Sequence, residues 1–150
     1  LEEKELEPER RKVRAGLVEG IAGAGKTTLL RSMMYDWAKR QGIWGSDASG
    51  WWVGGVVVYL PLKHLGNGSV RTLGDLAFEE YGDDMMGRGV GEEVAKWACE
   101  EIATMLREGS GIGLFDALDE ISEDLMEQRR VQRLWSEVCR LPHTIVTTRP

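Results

Sequence analysis

Four short runs of apolar or β-branched residues recur along the chain, and stretches with a different pattern separate them. The runs lie at 13–19, 56–60, 112–115 and 144–148. Short runs of this kind are typical of strands, which span about 4–8 residues in such patterns. Because Val56–Leu60 is continuously apolar, we expect it to be buried on both faces, as the strands of a parallel sheet are.

Between these runs, the apolar residues fall three and four positions apart, which is the spacing of an amphipathic helix. Helices are predicted on this basis at 26–42, 72–81, 92–108 and 122–140. Trp37, Trp97 and Trp135 fall on the apolar faces of these helices, and we expect all three in the core. Segments 43–55 and 82–91 are predicted to be loops. Strands that alternate with helices favour an α/β fold, with a parallel sheet covered on both faces.

The size and charge of the chain narrow the class of protein. A length of 150 residues, with 42% hydrophobic and 29% charged residues, fits a single soluble globular domain. The net charge of −6 argues against nucleic acid as a partner, because contacts to phosphates normally need a basic surface. No apolar run of the sequence approaches the ~20 residues of a membrane-spanning helix.

The cysteines and the chain ends bear on compartment and domain organisation. Cys99 and Cys139 form no Cys-x-x-Cys pair, so we expect two buried, reduced thiols in a cytoplasmic protein and no zinc site. Residues 1–12 carry alternating charges and one proline, which is typical of a linker or of the end of an upstream helix. The predicted domain is 13–150. Because the chain begins with leucine, we expect it to be an excerpt of a longer protein.

Glycine is in excess, at 19 of 150 residues against a usual ~7%, and one cluster of it lies between the first strand and the first helix. The segment 20–28 matches the P-loop pattern Gly-x-x-x-x-Gly-Lys-Ser/Thr. Its glycines let backbone N–H groups approach phosphate oxygens, its lysine adds a full charge, and the Thr27 hydroxyl can bind Mg²⁺. The predicted nucleotide-binding residues are Gly20, Ile21, Ala22, Gly23, Ala24, Gly25, Lys26, Thr27 and Thr28.

Two further segments supply what a P-loop NTPase needs besides its loop. Asp116 ends the third predicted strand, where a second metal-holding acid is required. Asp119 and Glu120 follow it, and a carboxylate here could position or deprotonate an attacking water. We expect Glu120 to have this role; the roles are reversed if replacing Asp119 slows hydrolysis instead. Arg149 lies at the tip of the fourth strand. Its planar guanidinium suits contact with the γ-phosphate, provided that this strand lies beside the P-loop strand.

Taken in this order, the segments 20–28, Leu114-Phe-Asp-Ala-Leu-Asp-Glu120 and Thr144-Ile-Val-Thr-Thr-Arg-Pro150 resemble the NACHT domain of the STAND class of P-loop NTPases. Val58-Tyr-Leu-Pro-Leu-Lys63 is also similar to the strand and proline that this family carries between its first two motifs. At Ala117, glycine is the commoner residue. The resemblance covers about 13–150.

The resemblance implies a fold and a sheet order. The fold is the three-layer P-loop NTPase sandwich around a parallel sheet. The strand ending at Arg149 would lie between the P-loop strand and the Asp116 strand, with 56–60 at the far edge. A further strand and the helical and winged-helix domains are expected beyond residue 150.

The resemblance also implies a nucleotide switch of the kind found in NOD-like receptors of innate immunity. In this family, ADP holds a closed form, and exchange for ATP permits self-assembly. The expected cofactors are therefore ATP or ADP with Mg²⁺, with slow ATP hydrolysis. The expected partners are further copies of the same protein, an upstream effector domain and downstream repeats.

Three alternatives remain open: a small-molecule P-loop kinase, a GTPase, and a scaffold that binds nucleotide and assembles without hydrolysis. The sequence lacks the guanine-reading Asn/Thr-Lys-x-Asp motif of GTPases, and nothing in it resembles the arginine-rich lid of a kinase.

Overall fold

The computed structural model describes residues 15–42 and 55–150. In these ranges the strands are β1 (Ala15–Glu19), β2 (Val56–Pro61), β3 (Gly111–Asp116) and β4 (Thr144–Thr148). The α-helices are α1 (Lys26–Gly42), α2 (Leu73–Gly87), α3 (Glu92–Glu108), α4 (Glu123–Glu127) and α5 (Arg129–Arg140). Short 3₁₀ turns follow β2 at Leu62–Gly66 and β3 at Leu118–Glu120. The predicted linker at 1–12 and almost all of the predicted loop at 43–55 lie outside the described residues.

The described strands form one parallel sheet in the order β1-β4-β3-β2. This is the order that the family resemblance implies, with β4 between the P-loop strand and the Asp116 strand. In a parallel sheet the carboxyl ends of neighbouring strands meet at one edge. The ends of β1, β4 and β3 therefore converge on the same place, where Glu19 is in register with Thr148.

Helices cover both faces of the sheet, as predicted. α1 packs on one face over a core of Leu30, Val57, Tyr59, Ile112, Leu114 and Ile145, which we call the α1-side core. α2, α3 and α5 pack on the other face over a larger core that includes Val58, Leu60 and Phe115. Successive residues of β2 and β3 alternate between the two cores, as the period of a strand requires. The two strands are almost entirely buried, which confirms the expectation for Val56–Leu60.

The prediction of a loop at 82–91 is wrong for its first half, because α2 continues to Gly87. Thr72 and Asp75 begin the helix with a capping box, in which each side chain accepts from the other residue's backbone N–H. Gly82 costs about 1 kcal/mol of helix propensity. It is buried beside the Phe78 ring, where an added Cβ would lie 2.8 Å from a ring carbon. Packing therefore outweighs propensity at this position.

The single helix predicted at 122–140 is instead two helices that meet at Gln128. This residue is extended, with φ −68° and ψ 130°, and it ends α4 and begins α5. Ser122 caps α4 through its own hydroxyl. Arg130 holds the start of α5 by donating to the carbonyls of Leu65 and Val70, at 2.8 and 3.0 Å. Hydrogen bonds to a distant segment therefore fix the break, and the helical period along the chain does not reveal it.

The core assignment is wrong for Trp97, which is 63% exposed. α3 buries a narrow stripe of mostly small residues, Ala95, Cys99 and Ala103, against the rest of the protein, and this turns Trp97 to the outside. Trp37 and Trp135 are half-buried and pack against the two cores, as expected. Both cysteines are free, but only Cys99 is buried. Cys139 lies on the exposed side of α5, so its predicted burial is wrong.

Candidate functional site

The loop between β1 and α1 turns at two glycines with left-handed backbone conformations. Gly23 has φ +79° and Gly25 has φ +85°, values that residues with a side chain rarely adopt. A Cβ at either position would meet no atom within 4 Å, so glycine is needed there for conformation and not for space. The turn leads the loop backbone to the start of α1 at Lys26. The sequence predicted that segment 20–28 binds phosphate, and we call this segment the phosphate cradle.

The N-terminus of α1 presents unpaired donors to this cradle. The first N–H groups of an α-helix have no acceptor within the helix, and the helix dipole adds positive potential at that end. In α1 the first i to i−4 bond at the junction runs from the Leu29 N–H to the Gly25 carbonyl, at 2.8 Å. The N–H groups of Lys26, Thr27 and Thr28 precede it. An anion is therefore favoured at this point of the chain.

Lys26 folds back over the loop. Its Nζ donates to the carbonyl oxygens of Gly20 and, at 3.1 Å, of Ile21. Gly20 and Ile21 do not line the cleft themselves, but their carbonyl oxygens hold the Lys26 ammonium group at its edge. A phosphate entering the cradle would meet this charge already in place.

Asp116 is the most constrained carboxylate of the site. It ends β3, is 4% exposed, and accepts hydrogen bonds from Thr147 at 2.5 Å and from Tyr59 at 2.7 Å, and the Thr27 hydroxyl also interacts with it. Burial acts to raise the pKa of Asp116, but these three hydroxyls and the nearby Arg31 charge outweigh it, so the pKa lies below its usual value. The carboxylate is therefore ionised at neutral pH, as a cation ligand must be.

Asp119 and Glu120 follow in the 3₁₀ turn but differ in their partners. Asp119 Oδ2 forms an ion pair with Arg149 Nε at 2.9 Å, and their side chains are 18% and 58% exposed. Glu120 makes no ion pair within the described ranges, although it also lines the cleft. The sequence favours Glu120 for the catalytic role, but it offers no contact that distinguishes the two acids. The structure separates them, since one is bound to the arginine and the other is free to face a ligand.

These groups converge on one cleft of about 330 Å³ at the carboxyl edge of the sheet. All the predicted site residues except Gly20 and Ile21 line it, together with Ala117. The lining residues are Ala22, Gly23, Ala24, Gly25, Lys26, Thr27, Thr28, Asp116, Ala117, Asp119, Glu120 and Arg149.

A family model for the NACHT domain matches residues 14–150. The chain belongs to the NACHT family. NACHT domains are P-loop NTPases that bind nucleotide and act as switches, and the parallel sheet with its P-loop cleft agrees with that fold. Searches among curated proteins and among solved structures gave no match. Within the two described ranges, no helix combines the length and apolar character that crossing a membrane requires.

The NACHT cleft suits Mg²⁺ better than a transition metal. The described ranges contain no group of three or more histidine, cysteine or acidic side chains that could hold a metal alone. Mg²⁺ prefers oxygen ligands and is usually held by one or two carboxylates, water and the phosphates of its substrate. The Thr27 hydroxyl and the Asp116 carboxylate both line the cleft at the P-loop, and Thr27 acts to lower the pKa of Asp116. The pair therefore fits a cation that reaches the protein together with a nucleotide.

Two residues of the NACHT site were missed at the sequence level, Tyr59 and Thr147. Both donate to Asp116 from neighbouring strands, and the Thr147 hydroxyl also accepts from the Ala117 N–H at 2.8 Å. Burial, followed by the hydrogen bond to Asp116, raises the pKa of Tyr59, so this phenol remains a donor. Tyr59 carries the one side-chain hydroxyl in the apolar run 56–60. Because a buried hydroxyl needs a hydrogen-bond partner, this tyrosine in a buried strand could have indicated a polar contact at the site.

Ala117 occupies the turn that carries the chain from β3 into the cleft. Its φ of 65° and ψ of 58° are left-handed, and it is the one residue other than glycine with positive φ in the described ranges. This conformation explains why glycine is the commoner residue of the NACHT motif at this position. The left-handed turn directs Asp119 and Glu120 towards the P-loop.

Replacing Ala117 by glycine is expected to raise the free energy of unfolding by up to about 1 kcal/mol. The left-handed conformation costs a residue with a Cβ ~1–2 kcal/mol. Glycine offsets ~0.5–1 kcal/mol of this gain, because it increases the conformational entropy of the unfolded chain. Urea denaturation measures the difference. As a control, Ala98→Gly within α3 should lower stability by about 1 kcal/mol. A loss of stability in Ala117→Gly would contradict the strain inferred at this turn.

Proposed function

We propose that this NACHT domain binds ATP or ADP with Mg²⁺, hydrolyses ATP slowly and thereby controls self-assembly of a cytoplasmic signalling protein. One observation carries the proposal. The P-loop, a buried ionised aspartate, a free glutamate and an arginine from separate elements all line the same cleft. Each of the four suits a different part of a nucleoside triphosphate with its metal and attacking water. We further propose that the complete protein carries an upstream effector domain and downstream repeats.

The phosphates are assigned to the backbone of the P-loop. In this proposal the N–H groups at the start of α1 hold the β-phosphate, and Lys26 reaches the β- and γ-phosphate oxygens. Thr27 and Asp116 would hold the Mg²⁺ that accompanies these phosphates. When bound, Mg²⁺ neutralises charge that develops on the transferred phosphoryl group. The ion pair leaves the Arg149 guanidinium at the open end of the cleft, where it can donate to a γ-phosphate through its remaining N–H groups.

The water-activating role is assigned to Glu120 and not to Asp119. A general base must have an acceptor oxygen available in the cleft. Asp119 is already engaged in an ion pair with Arg149, whereas Glu120 makes no such pair within the described ranges. Asp119 is then the residue that orients Arg149. The ion pair of Asp119 supports the preference for Glu120 that was already expected from the sequence.

Titration calorimetry of the protein with ATP, ADP and GTP, in Mg²⁺ and in EDTA, tests nucleotide binding directly. We expect adenine nucleotides to bind with Mg²⁺-dependent affinity, and light scattering to show larger assemblies with ATP than with ADP. Preference for GTP would favour the GTPase alternative. ATP-dependent assembly without release of phosphate would favour the binding-only scaffold. Transfer of the γ-phosphate to a small acceptor would favour a kinase.

Replacing Asp116 by asparagine is expected to remove most of the gain in nucleotide affinity that Mg²⁺ provides. The amide keeps the size of the carboxylate but loses the charge that attracts the cation. Calorimetric Kd values for ADP should agree within about twofold between variant and wild type in EDTA, and differ by about tenfold or more in Mg²⁺. Asp124→Asn on α4 is the control for an exposed carboxylate and should behave as wild type. An undiminished Mg²⁺ effect in Asp116→Asn would exclude this residue as a metal ligand.

A further inference from the structure

The hydroxyl of Tyr59 reaches the site from a strand that does not otherwise line the cleft. Tyr59 lies in β2, which is separated from β1 by β3 and β4, and its side chain belongs to the α1-side core. It is 4% exposed, and its hydroxyl donates to Asp116 Oδ2 at 2.7 Å. A phenylalanine would fill the same apolar space. The hydroxyl is therefore the part of this side chain that packing does not explain.

The phenol is held from two further directions. The Arg31 guanidinium of α1 lies over its ring, 5.6 Å from the centroid. On the outer edge of β2, the Tyr81 hydroxyl donates to the Tyr59 carbonyl at 2.7 Å and accepts from the Tyr59 N–H at 3.0 Å. Tyr81 contacts only the backbone of Tyr59, which the ladder with β3 also holds, whereas the hydroxyl of Tyr59 is directed to Asp116.

The two oxygens of Asp116 are divided between neighbouring strands. Oδ1 accepts from Thr147 of β4, and Oδ2 accepts from Tyr59 of β2. With one donor on each oxygen, rotation of the carboxylate about its χ2 bond would break both hydrogen bonds. Each carboxylate oxygen has about two acceptor positions, so lone pairs remain for Thr27 or for a cation. The Tyr59 hydroxyl therefore sets which lone pairs of Asp116 face the P-loop.

We propose that Tyr59 is a positioning residue that orients the Asp116 carboxylate for Mg²⁺ and so sets how strongly Mg²⁺ tightens nucleotide binding. This rests on the proposed function, because it assumes that Asp116 and Thr27 hold the metal of a bound nucleotide. Tyr59 itself touches neither metal nor nucleotide. Groups that orient metal ligands in this way typically contribute ~10–100-fold to metal affinity.

Tyr59→Phe separates the hydroxyl from the ring, and Tyr81→Phe is the matched control. The control also removes a half-buried tyrosine hydroxyl beside β2, but it leaves the hydrogen bond to Asp116 in place. Calorimetric Kd values for ADP are measured across a Mg²⁺ series and in EDTA. We expect Tyr59→Phe to keep wild-type affinity in EDTA within about twofold and to lose about tenfold of the Mg²⁺ gain. Tyr81→Phe should keep the full gain.

The outcomes distinguish the positioning role of Tyr59 from the proposed nucleotide and Mg²⁺ site on which it rests. If Mg²⁺ tightens ADP binding as much in Tyr59→Phe as in the wild type, the positioning role is overturned, but the assignment of the metal site is unaffected. An equal loss of gain in both tyrosine variants would also overturn it, since general damage to β2 would then explain the effect. A wild-type protein whose ADP affinity ignores Mg²⁺ would contradict both proposals together.

A spectroscopic measurement covers the case in which Tyr59→Phe does not fold. The chain has three tyrosines, Tyr35, Tyr59 and Tyr81, and 3-fluorotyrosine can replace all of them. Single Tyr→Phe variants at Tyr35 and Tyr81 assign the ¹⁹F resonances. When Mg²⁺ is added to the ADP-saturated protein, the resonance of residue 59 should shift, and those of residues 35 and 81 should not. A stationary resonance at residue 59 would contradict the proposal.

Discussion

Replacing Lys26 by alanine is expected to abolish measurable nucleotide binding. The side chain supplies the full positive charge of the cradle, and Gly20 and Ile21 hold it at the rim before any ligand arrives. Removing one partner of a hydrogen-bonded charge pair costs ~2–5 kcal/mol, which corresponds to a loss in affinity of about 30-fold to about 4,000-fold. Titration calorimetry with ATP and with ADP measures the loss.

The control for Lys26→Ala is Lys63→Ala, which removes an exposed lysine from the 3₁₀ turn after β2, outside the cleft. It should bind nucleotide as the wild type does. Thermal melts of both variants establish that the fold is retained, because Lys26 also donates to the loop carbonyls. Wild-type affinity in a folded Lys26→Ala protein would overturn the assignment of the P-loop as the phosphate site.

Replacing Glu120 by glutamine is expected to leave nucleotide affinity within about twofold of wild type and to slow ATP hydrolysis by ~10²–10⁴-fold. This is the range that a positioned general base contributes. The amide keeps the shape of the side chain but cannot accept the proton of the attacking water. Single-turnover release of phosphate, measured with protein in excess over ATP, isolates the chemical step from nucleotide exchange.

Asp119→Asn is the comparison that decides the roles of the two acids. Asp119 forms an ion pair with Arg149, so the amide of Asp119→Asn should hold that arginine less firmly. We expect this variant to slow hydrolysis less than Glu120→Gln does. The reverse ranking would make Asp119 the base. Hydrolysis by the wild type without any change in assembly would favour an ordinary NTPase over a switch.

The sheet and the P-loop could be predicted from sequence because both are local signals. Continuous apolar runs identify buried strands, and the spacing of glycine, lysine and threonine in 20–28 encodes a loop that binds phosphate whatever surrounds it. Alternation of strands and helices then implies a parallel sheet. The order β1-β4-β3-β2 came from the family resemblance, since no local pattern specifies which strands are neighbours.

What the sequence could not supply depends on contacts between distant segments. Tyr59 and Thr147 reach Asp116 from strands 57 and 31 residues away, and no spacing rule connects them. Trp97 fits a helical apolar stripe but lies outside, because α3 turns a stripe of smaller residues inward. The different roles of Asp119 and Glu120 likewise depend on where Arg149 lies. Tertiary contacts therefore decide much of the candidate site.

The central position of β4 fixes the strands beneath the cleft more firmly than the loops that surround it. β4 is hydrogen-bonded to β1 on one side and to β3 on the other, so sliding it by one residue would break both ladders at once. Thr147 is anchored within β4, whereas Arg149 lies beyond its end. A change in shape between nucleotide states would therefore be absorbed by the loop 20–25, the turn 117–120 and Arg149, while the strands beneath them stay still.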